Sequence, residues 1–304
     1  MPMELNRREL KARARELMLE TRPPFWLITL VYLLLTTGVS TAADLLGAND
    51  LSHGGIFPLF LTVLIALYST VMSFGYQLWA LKVYRRQQVG YGTLIDGFSM
   101  AGRVLPMELS IVARTVCWAL LFSVLLTILM VLVIWLPPFL ILLVFYAAIF
   151  LVVLWISYRY AMAPYLLMDH PEEVPFAPVR ESVAMMRGWK WEYFKLDFSF
   201  FGWYLLNFLL AAGVELIFAY PVLLELLQAT EIDPAILING LSLPWTAVLL
   251  STLVQIPLSL WLSPYVSIAH AGFYETLIRQ VPPPPPVWGS NGGPYDGPYN
   301  GPEL

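Results

Sequence analysis

Six long apolar stretches alternate with short polar segments along the chain. A helix needs about 20 apolar residues to cross the roughly 30 Å hydrocarbon core of a bilayer, and each stretch reaches that length. The pattern predicts membrane spans at approximately residues 25–46, 56–82, 107–135, 139–161, 194–220 and 243–274. The sequence therefore predicts an all-α polytopic membrane protein whose spans form three hairpins.

A short amphipathic helix precedes each predicted hairpin, and the first of these helices is the clearest. Asn6 and Glu9 have the spacing of a capping box, which starts a helix. The apolar residues that follow form one helical stripe, which consists of Leu10, Ala14, Leu17 and Met18. Arginine and lysine lie mostly off this stripe, as in a basic helix at a membrane surface. We therefore expect an interfacial helix on the cytoplasmic face of the bilayer.

The second and third amphipathic segments are shorter, and each ends at a helix breaker. The apolar face of the second consists of Leu94, Ile95 and Phe98, and that of the third of Val179, Val183 and Met186. Pro106 closes the second segment before the third span. Gly188 supplies a helix stop for the third segment, and the fifth span follows from about Phe194.

Two further boundaries divide the chain. Pro137 and Pro138 separate the third and fourth spans, because one helix through both apolar runs would be about twice as long as a bilayer requires. Residues 1–281 then form a single membrane domain, while residues 282–304 form a tail rich in Pro, Gly and Tyr. We expect this cytoplasmic tail to be disordered. It serves either as a spacer or as a docking segment for a protein partner that binds proline.

Lysine and arginine concentrate on one side of the predicted topology. All 17 fall in the N-terminal segment, in the second and fourth connections with their flanking span ends, or after the last span. The other connections and their span ends carry only acids. By the positive-inside rule, the basic side is cytoplasmic, and both termini lie there.

The composition fits a membrane protein and offers little catalytic chemistry. Hydrophobic residues make up 59% of the chain and charged residues 12%, which excludes a soluble domain. No phosphate-binding loop, dinucleotide fingerprint, HExxH, CxxC or GxSxG motif is present. The single cysteine, Cys117, cannot form an intrachain disulfide, and His53, His170 and His270 are too dispersed to indicate a shared metal site. We expect no catalytic residue, cofactor, metal or nucleic-acid partner.

Four polar residues near the predicted cytoplasmic span ends form the candidate site. Asp197 and Ser199 lie just inside the fifth span, Arg114 lies in the third span, and Arg159 ends the fourth. Charges in a membrane are costly and are usually paired. These residues either anchor their helices at the interface or form an intramembrane polar cluster, in which Asp197 pairs with one arginine beside a cytoplasm-facing cavity.

Four segments carry a resemblance to a known family: NRRELKARARELM, SYRYAMAPYLLMDHP, RESVAMMRGWKWEYFKLDFSFFGWYLL and PYVSIAHAGFYETL. In this order they resemble the bacterial integral-membrane family known as domain of unknown function 975. The resemblance covers nearly everything except the tail. It implies a polytopic protein of the bacterial cytoplasmic membrane, and it implies no particular reaction.

Three functions remain open from the sequence. We expect a non-enzymatic protein that binds, transports or shields a lipid or a small peptide, because surface helices beside spans can border a lateral groove in contact with membrane lipids. A scaffold or accessory subunit that recruits a partner through the tail is the first alternative. A membrane enzyme is the second, and it would require a buried polar cluster that sequence spacing does not reveal.

Overall fold

The computed structural model describes residues 6–45, 56–130, 137–228 and 244–280 of the chain. Every regular element in these ranges is helical. In chain order the helices are α1 (Arg7–Glu20), α2 (Phe25–Leu33), α3 (Val39–Leu45), α4 (Ile56–Tyr84), α5 (Gly92–Ser99), α6 (Ala101–Met130), α7 (Pro138–Ser157), α8 (Ala163–Asp169), α9 (Ala177–Met185), α10 (Lys190–Phe198), α11 (Phe201–Gln228) and α12 (Trp245–Gln280). A π-helical segment, Leu34–Gly38, joins α2 to α3.

Six stretches within the described ranges are long and apolar enough to cross a membrane. They are Phe25–Asp44, Ile56–Tyr84, Ala101–Ile128, Leu140–Ser157, Phe201–Pro221 and Trp245–Gln280. The all-α polytopic architecture expected from the sequence is therefore confirmed. The predicted tail, the loop at 46–55 and the acidic connection at 229–243 lie outside the described residues.

The third span begins earlier than the sequence suggested. Helix α6 starts at Ala101, and Pro106 lies inside it instead of closing the preceding segment. The break between α5 and α6 falls at Met100. A proline in the second turn removes a single backbone hydrogen bond, and α6 retains the rest of its ladder. The sequence prediction gave Pro106 too much weight as a helix breaker.

The fifth span begins later than expected, at Phe201 instead of Phe194. Helix α9 ends before Gly188, which adopts a φ of +84° in the left-handed region that glycine favours. The chain turns there and forms the separate short helix α10 before it enters the span. Asp197 therefore lies on a short helix just outside the spanning segment.

The helices pack most densely at one end of the bundle, where α1, α5, α8, α9 and α10 meet the adjoining ends of the spans. We call this region the packed end. Its larger buried cluster joins the second halves of α4 and α12 to α1, α8 and α10. A smaller cluster joins α4 to the start of α6, the end of α7, and α8 and α9. The side chains of Trp79 and Trp189 are completely or almost completely buried here.

Helix α1 is part of this core. Asn6 caps it, since its Oδ1 accepts a hydrogen bond from the Glu9 backbone N–H at 3.3 Å and its Nδ2 donates to the Glu9 carboxylate at 3.1 Å. The predicted apolar stripe, namely Leu10, Ala14, Leu17 and Met18, is buried within the larger cluster. The stripe therefore faces the ends of α4 and α12 instead of the bilayer.

The remaining parts of the spans, which we call the outer halves, differ from the packed end in the burial of their side chains. No residue in the most apolar parts of α6 and α11 is buried. Large apolar side chains are exposed there, among them Leu121, Val124, Phe208, Leu209 and Ile217. Lipid chains are as apolar as these side chains, so a bilayer can cover this surface without further protein contacts.

Candidate functional site

A half-open cavity of about 270 Å³ lies within the packed end. Its walls come from α4, α6, α7, α8, α10 and α12 and from the turn after α7. The residues on which its chemistry depends are Gln77, Glu108, Tyr165, Tyr193, Ser267 and His270. Polar groups and aromatic rings thus converge on one space between spans, which is the usual composition of a ligand site.

Glu108 is the acid that stands directly in the cavity wall. It lies in the third turn of α6 and is half-buried. No group in the described ranges donates a hydrogen bond to its carboxylate or forms an ion pair with it. Since a half-buried carboxylate without a partner is costly, Glu108 is available to bind a donor or a cation in the cavity.

His270 also lines the cavity and is held by Asp197. Its Nε2 lies 2.6 Å from Asp197 Oδ1, which ties α12 to the end of α10. The ring of Tyr193 lies 5.1 Å from the His270 ring. Burial and the Asp197 carboxylate raise the pKa of Tyr193 well above its ordinary value, so its phenol stays neutral. Within the described part of the chain, no group of three potential ligands is placed to hold a metal ion.

An ion-pair cluster around Arg85 joins three helices of the packed end outside the cavity wall. Two guanidinium nitrogens of Arg85 donate to the two Asp169 carboxylate oxygens at 2.6 and 2.8 Å, and its Nε donates to Glu275 at 2.5 Å. The Tyr274 hydroxyl donates to Asp169 at 2.8 Å. Burial by itself would raise the pKa of Asp169, but the bonds from Arg85 and Tyr274 outweigh it and lower that pKa. The cluster fastens the ends of α4 and α8 to α12.

Tyr165 connects the Arg85 cluster to the cavity. Its ring stacks on Tyr274 with centroids 5.1 Å apart, while its other side lines the cavity. Since Tyr274 is hydrogen-bonded to Asp169, the ion pairs fix the position of an aromatic wall. The Arg85 cluster therefore holds one wall of the cavity in place, although its own side chains do not line the cavity.

The structure does not assemble the polar cluster that the sequence suggested around Asp197. The partner of Asp197 is His270 and not Arg114 or Arg159. Ser199 is not part of the Asp197–His270 pair. Its hydroxyl and carbonyl oxygens instead accept hydrogen bonds from Lys11 on α1 at 3.2 Å.

The two arginines fail to reach Asp197 because of where their helices run. Helix α6, which carries Arg114, packs chiefly on α4, α5, α7 and α9. Arg159 lies beside Lys190 at the start of α10, where burial and this neighbouring cation lower the pKa of Lys190. Asp197 is seven residues further along α10, a distance of roughly 10 Å at 1.5 Å per residue.

The residues that sequence reasoning missed left a signal in some cases. Glu108 is an acid at the start of an apolar run, and such a residue is by itself a reason to expect a site. His270 was considered only as a metal ligand, whereas its role is to pair with a carboxylate. Arg85 counted only among the basic residues that indicate topology, and Asp169 was assigned no role, because nothing in the sequence indicates that segments 84 residues apart meet.

The order of these elements along the chain matches a known protein family. A model of the family described as "Protein of unknown function (DUF975)" matches residues 1–280. The chain belongs to this family. The match confirms the resemblance seen in the sequence, and it contains every residue of the cavity and of the Arg85 cluster. No curated protein and no solved structure matches the chain.

Proposed function

We propose that this family member binds the cationic group of a lipid or small peptide in the cavity at its packed end and catalyses no reaction on it. The observation that carries the proposal is the unpartnered carboxylate of Glu108 in a cavity wall between membrane spans. A membrane carboxylate without a protein partner is stabilised when a ligand supplies the opposite charge.

The other walls favour the same ligand class. The rings of Tyr160, Tyr165 and Tyr193 border the cavity, and aromatic faces attract ammonium and guanidinium groups. Gln77 and Ser267 add polar groups that can orient a donor. The imidazole of His270 is already engaged by Asp197. A cation is therefore complementary to this cavity, whereas an anionic ligand would be repelled by the Glu108 carboxylate.

The size of the cavity limits what enters it. About 270 Å³ is below the range of about 300–1,000 Å³ that encloses a whole drug-sized ligand. An amine headgroup or one basic side chain fits, and the apolar remainder of the ligand must extend along the spans. The exposed apolar surface of the outer halves offers it a lipid-like environment. An amphipathic ligand satisfies both conditions.

We further propose that the packed end faces the cytoplasm. The chain's lysines and arginines lie in α1 and just after it, around the end of α4, in the first half of α6, from the end of α7 through α10 and at the end of α12. All of these segments belong to this end of the bundle. Such a concentration of basic residues beside spans is typical of the cytoplasmic side. The cavity would then admit its ligand from the cytoplasmic leaflet.

The binding proposal is tested with dodecylamine as the cationic amphipath and dodecanol as its uncharged counterpart. The protein is placed in phosphatidylcholine nanodiscs, and the bound ligand is counted by native mass spectrometry. Glu108→Gln should weaken dodecylamine binding about tenfold or more, because a charge-assisted contact contributes about 1.5–3 kcal/mol. Glu215→Gln is the matched control, since Glu215 is a half-buried acid on α11 outside the cavity.

Two outcomes would overturn the proposal. Equal dodecylamine binding by the unaltered protein and by Glu108→Gln would remove the cavity as the site. Equal binding of dodecanol and dodecylamine by the unaltered protein would show that charge does not matter. The mass of the released ligand supplies a separate check, because a changed mass would indicate catalysis and contradict a binding role.

A further inference from the structure

A second, basic cleft lies away from the Glu108 cavity, between the start of α1 and the junction of α10 and α11. It has a volume of about 400 Å³ and is lined by Asn6, Arg7, Arg8, Lys11 and Ser199. Among the described residues, every charged side chain in its wall is a cation. Glu9, the neighbouring acid, lines a different cleft together with Arg13. The electrostatics of this surface therefore favour an anion.

Lys11 is held in place at the centre of this cleft. Its Nζ donates to both the carbonyl oxygen and the hydroxyl of Ser199, and it lies 4.4 Å from the centre of the Phe200 ring. An ammonium group has three N–H donors, so one is left for a ligand. Arg7 and Arg8 are exposed beside it and make no ion pair in the described ranges. The cleft thus offers one donor held by Ser199 and two exposed guanidinium groups.

A row of stacked aromatic rings runs along the chain past this cleft. It consists of Trp191, Phe194, Phe198 and Phe201, with successive ring centroids 5.0, 5.8 and 5.5 Å apart. Trp191, Phe198 and Phe201 are each more than half exposed. Exposed aromatic side chains at the start of a span lie at the level of the lipid headgroups. Ser199, between Phe198 and Phe201, therefore places the cleft at the depth of lipid phosphates.

We propose that this cleft binds the phosphate of an anionic phospholipid. Lys11 and the two arginines contact the phosphate, and the acyl chains follow the exposed rings of Phe198 and Phe201 into the bilayer. A bound lipid would then bridge α1 to the start of the fifth span. This site takes an anion and shares no residue with the Glu108 cavity, so the two proposals stand independently.

The test uses the full chain in detergent, titrated with dioleoylphosphatidylglycerol, dioleoylphosphatidylcholine or inorganic phosphate and followed by native mass spectrometry. The informative variant is Arg7→Gln/Arg8→Gln, because both side chains are exposed and neither forms an ion pair within the described ranges. The control is Arg180→Gln/Arg187→Gln, which removes the same charge from exposed positions outside the cleft.

We expect the first variant to bind phosphatidylglycerol about tenfold more weakly, which corresponds to about 1.4 kcal/mol. Phosphatidylcholine binding should not change, and the control should behave like the unaltered protein. An equal loss in both variants would overturn the proposal, because it would show attraction by net charge alone. Displacement of phosphatidylglycerol by millimolar inorganic phosphate would also overturn it, because the site would then recognise the free anion.

Discussion

The packed end and the outer halves of the spans contain the same apolar residue types but are stabilised in different ways. At the packed end Trp79 and Leu196 are completely buried, whereas Ile217 in the outer half of α11 is 72% exposed. Lipid can replace protein contacts for an apolar side chain, but it cannot replace the partners of a carboxylate. Protein packing is therefore concentrated where polar groups must be held, and the candidate cavity lies there.

The largest effect should come from breaking the ion pairs of the packed end. Arg85→Gln removes three charge-assisted hydrogen bonds and leaves the Asp169 and Glu275 carboxylates partly buried without their cation. We expect a loss of about 3 kcal/mol in the free energy of unfolding. Denaturant unfolding in one detergent measures it.

Arg86→Gln is the control for this variant. Arg86 and Glu20 are 3.6 Å apart with more than half of each side chain exposed, so their pairing contributes less than about 1 kcal/mol. Equal losses for the two variants would mean that the Arg85 cluster does not stabilise the packed end.

A smaller effect should follow from adding one methyl group between α4 and α5. A Cβ at Gly75 would lie 2.2 Å from the Leu94 carbonyl oxygen, so Gly75→Ala forces the helices apart at a cost of about 2 kcal/mol. In the outer half of α11, a Cβ at Gly213 meets nothing within 4 Å, and Gly213→Ala should cost nothing. Thermal unfolding of both variants compares the regions directly, and an unaffected Gly75→Ala would contradict close packing between α4 and α5.

The smallest of these effects is the pH dependence that Asp169 gives to the packed end. The pKa of Asp169 in the folded protein lies below its ordinary value of 3.8, so the unfolded chain takes up its proton first as the pH falls. The stabilisation from Asp169 is complete above that ordinary pKa and is lost as the pH falls through the lowered one. The midpoint of thermal unfolding, measured between pH 6 and pH 3, should fall less steeply with decreasing pH for Asp169→Asn than for the unaltered protein. Parallel curves would assign the acid sensitivity to other groups.

Much of the fold could be predicted from the sequence, because length and apolar composition alone define a membrane span. The six spans and the turn at Gly188 follow from such local rules. The exact starts of the third and fifth spans could not be predicted in this way, since α6 tolerates Pro106 and α10 folds as a separate helix. Nor does the pattern reveal that the stripe of α1 faces protein, because an apolar stripe suits a lipid surface and a helix bundle equally well.

The candidate site was less predictable because it depends on which span ends meet. Asp197 attracted attention for its position near a span, but its partner His270 lies 73 residues further along the chain. The two arginines proposed for Asp197 have the right charge, but Arg114 lies on α6, which packs chiefly on other helices, and Arg159 lies beside Lys190 at the start of α10. Glu108 could have been singled out as an acid in an apolar run. Its lack of a partner becomes visible only when six helices are assembled around it.

The central claim is that an amine-bearing ligand lies against Glu108, and covalent coupling tests it most directly. A carbodiimide joins a carboxylate to an amine in contact with it, so dodecylamine bound in the cavity should be captured as an amide. After coupling in phosphatidylcholine nanodiscs, peptide mass spectrometry should find the amide on Glu108 in several-fold excess over Glu215, and excess dodecyltrimethylammonium should suppress it. Coupling that is equal at the two acids, or that favours Glu215, would contradict the account.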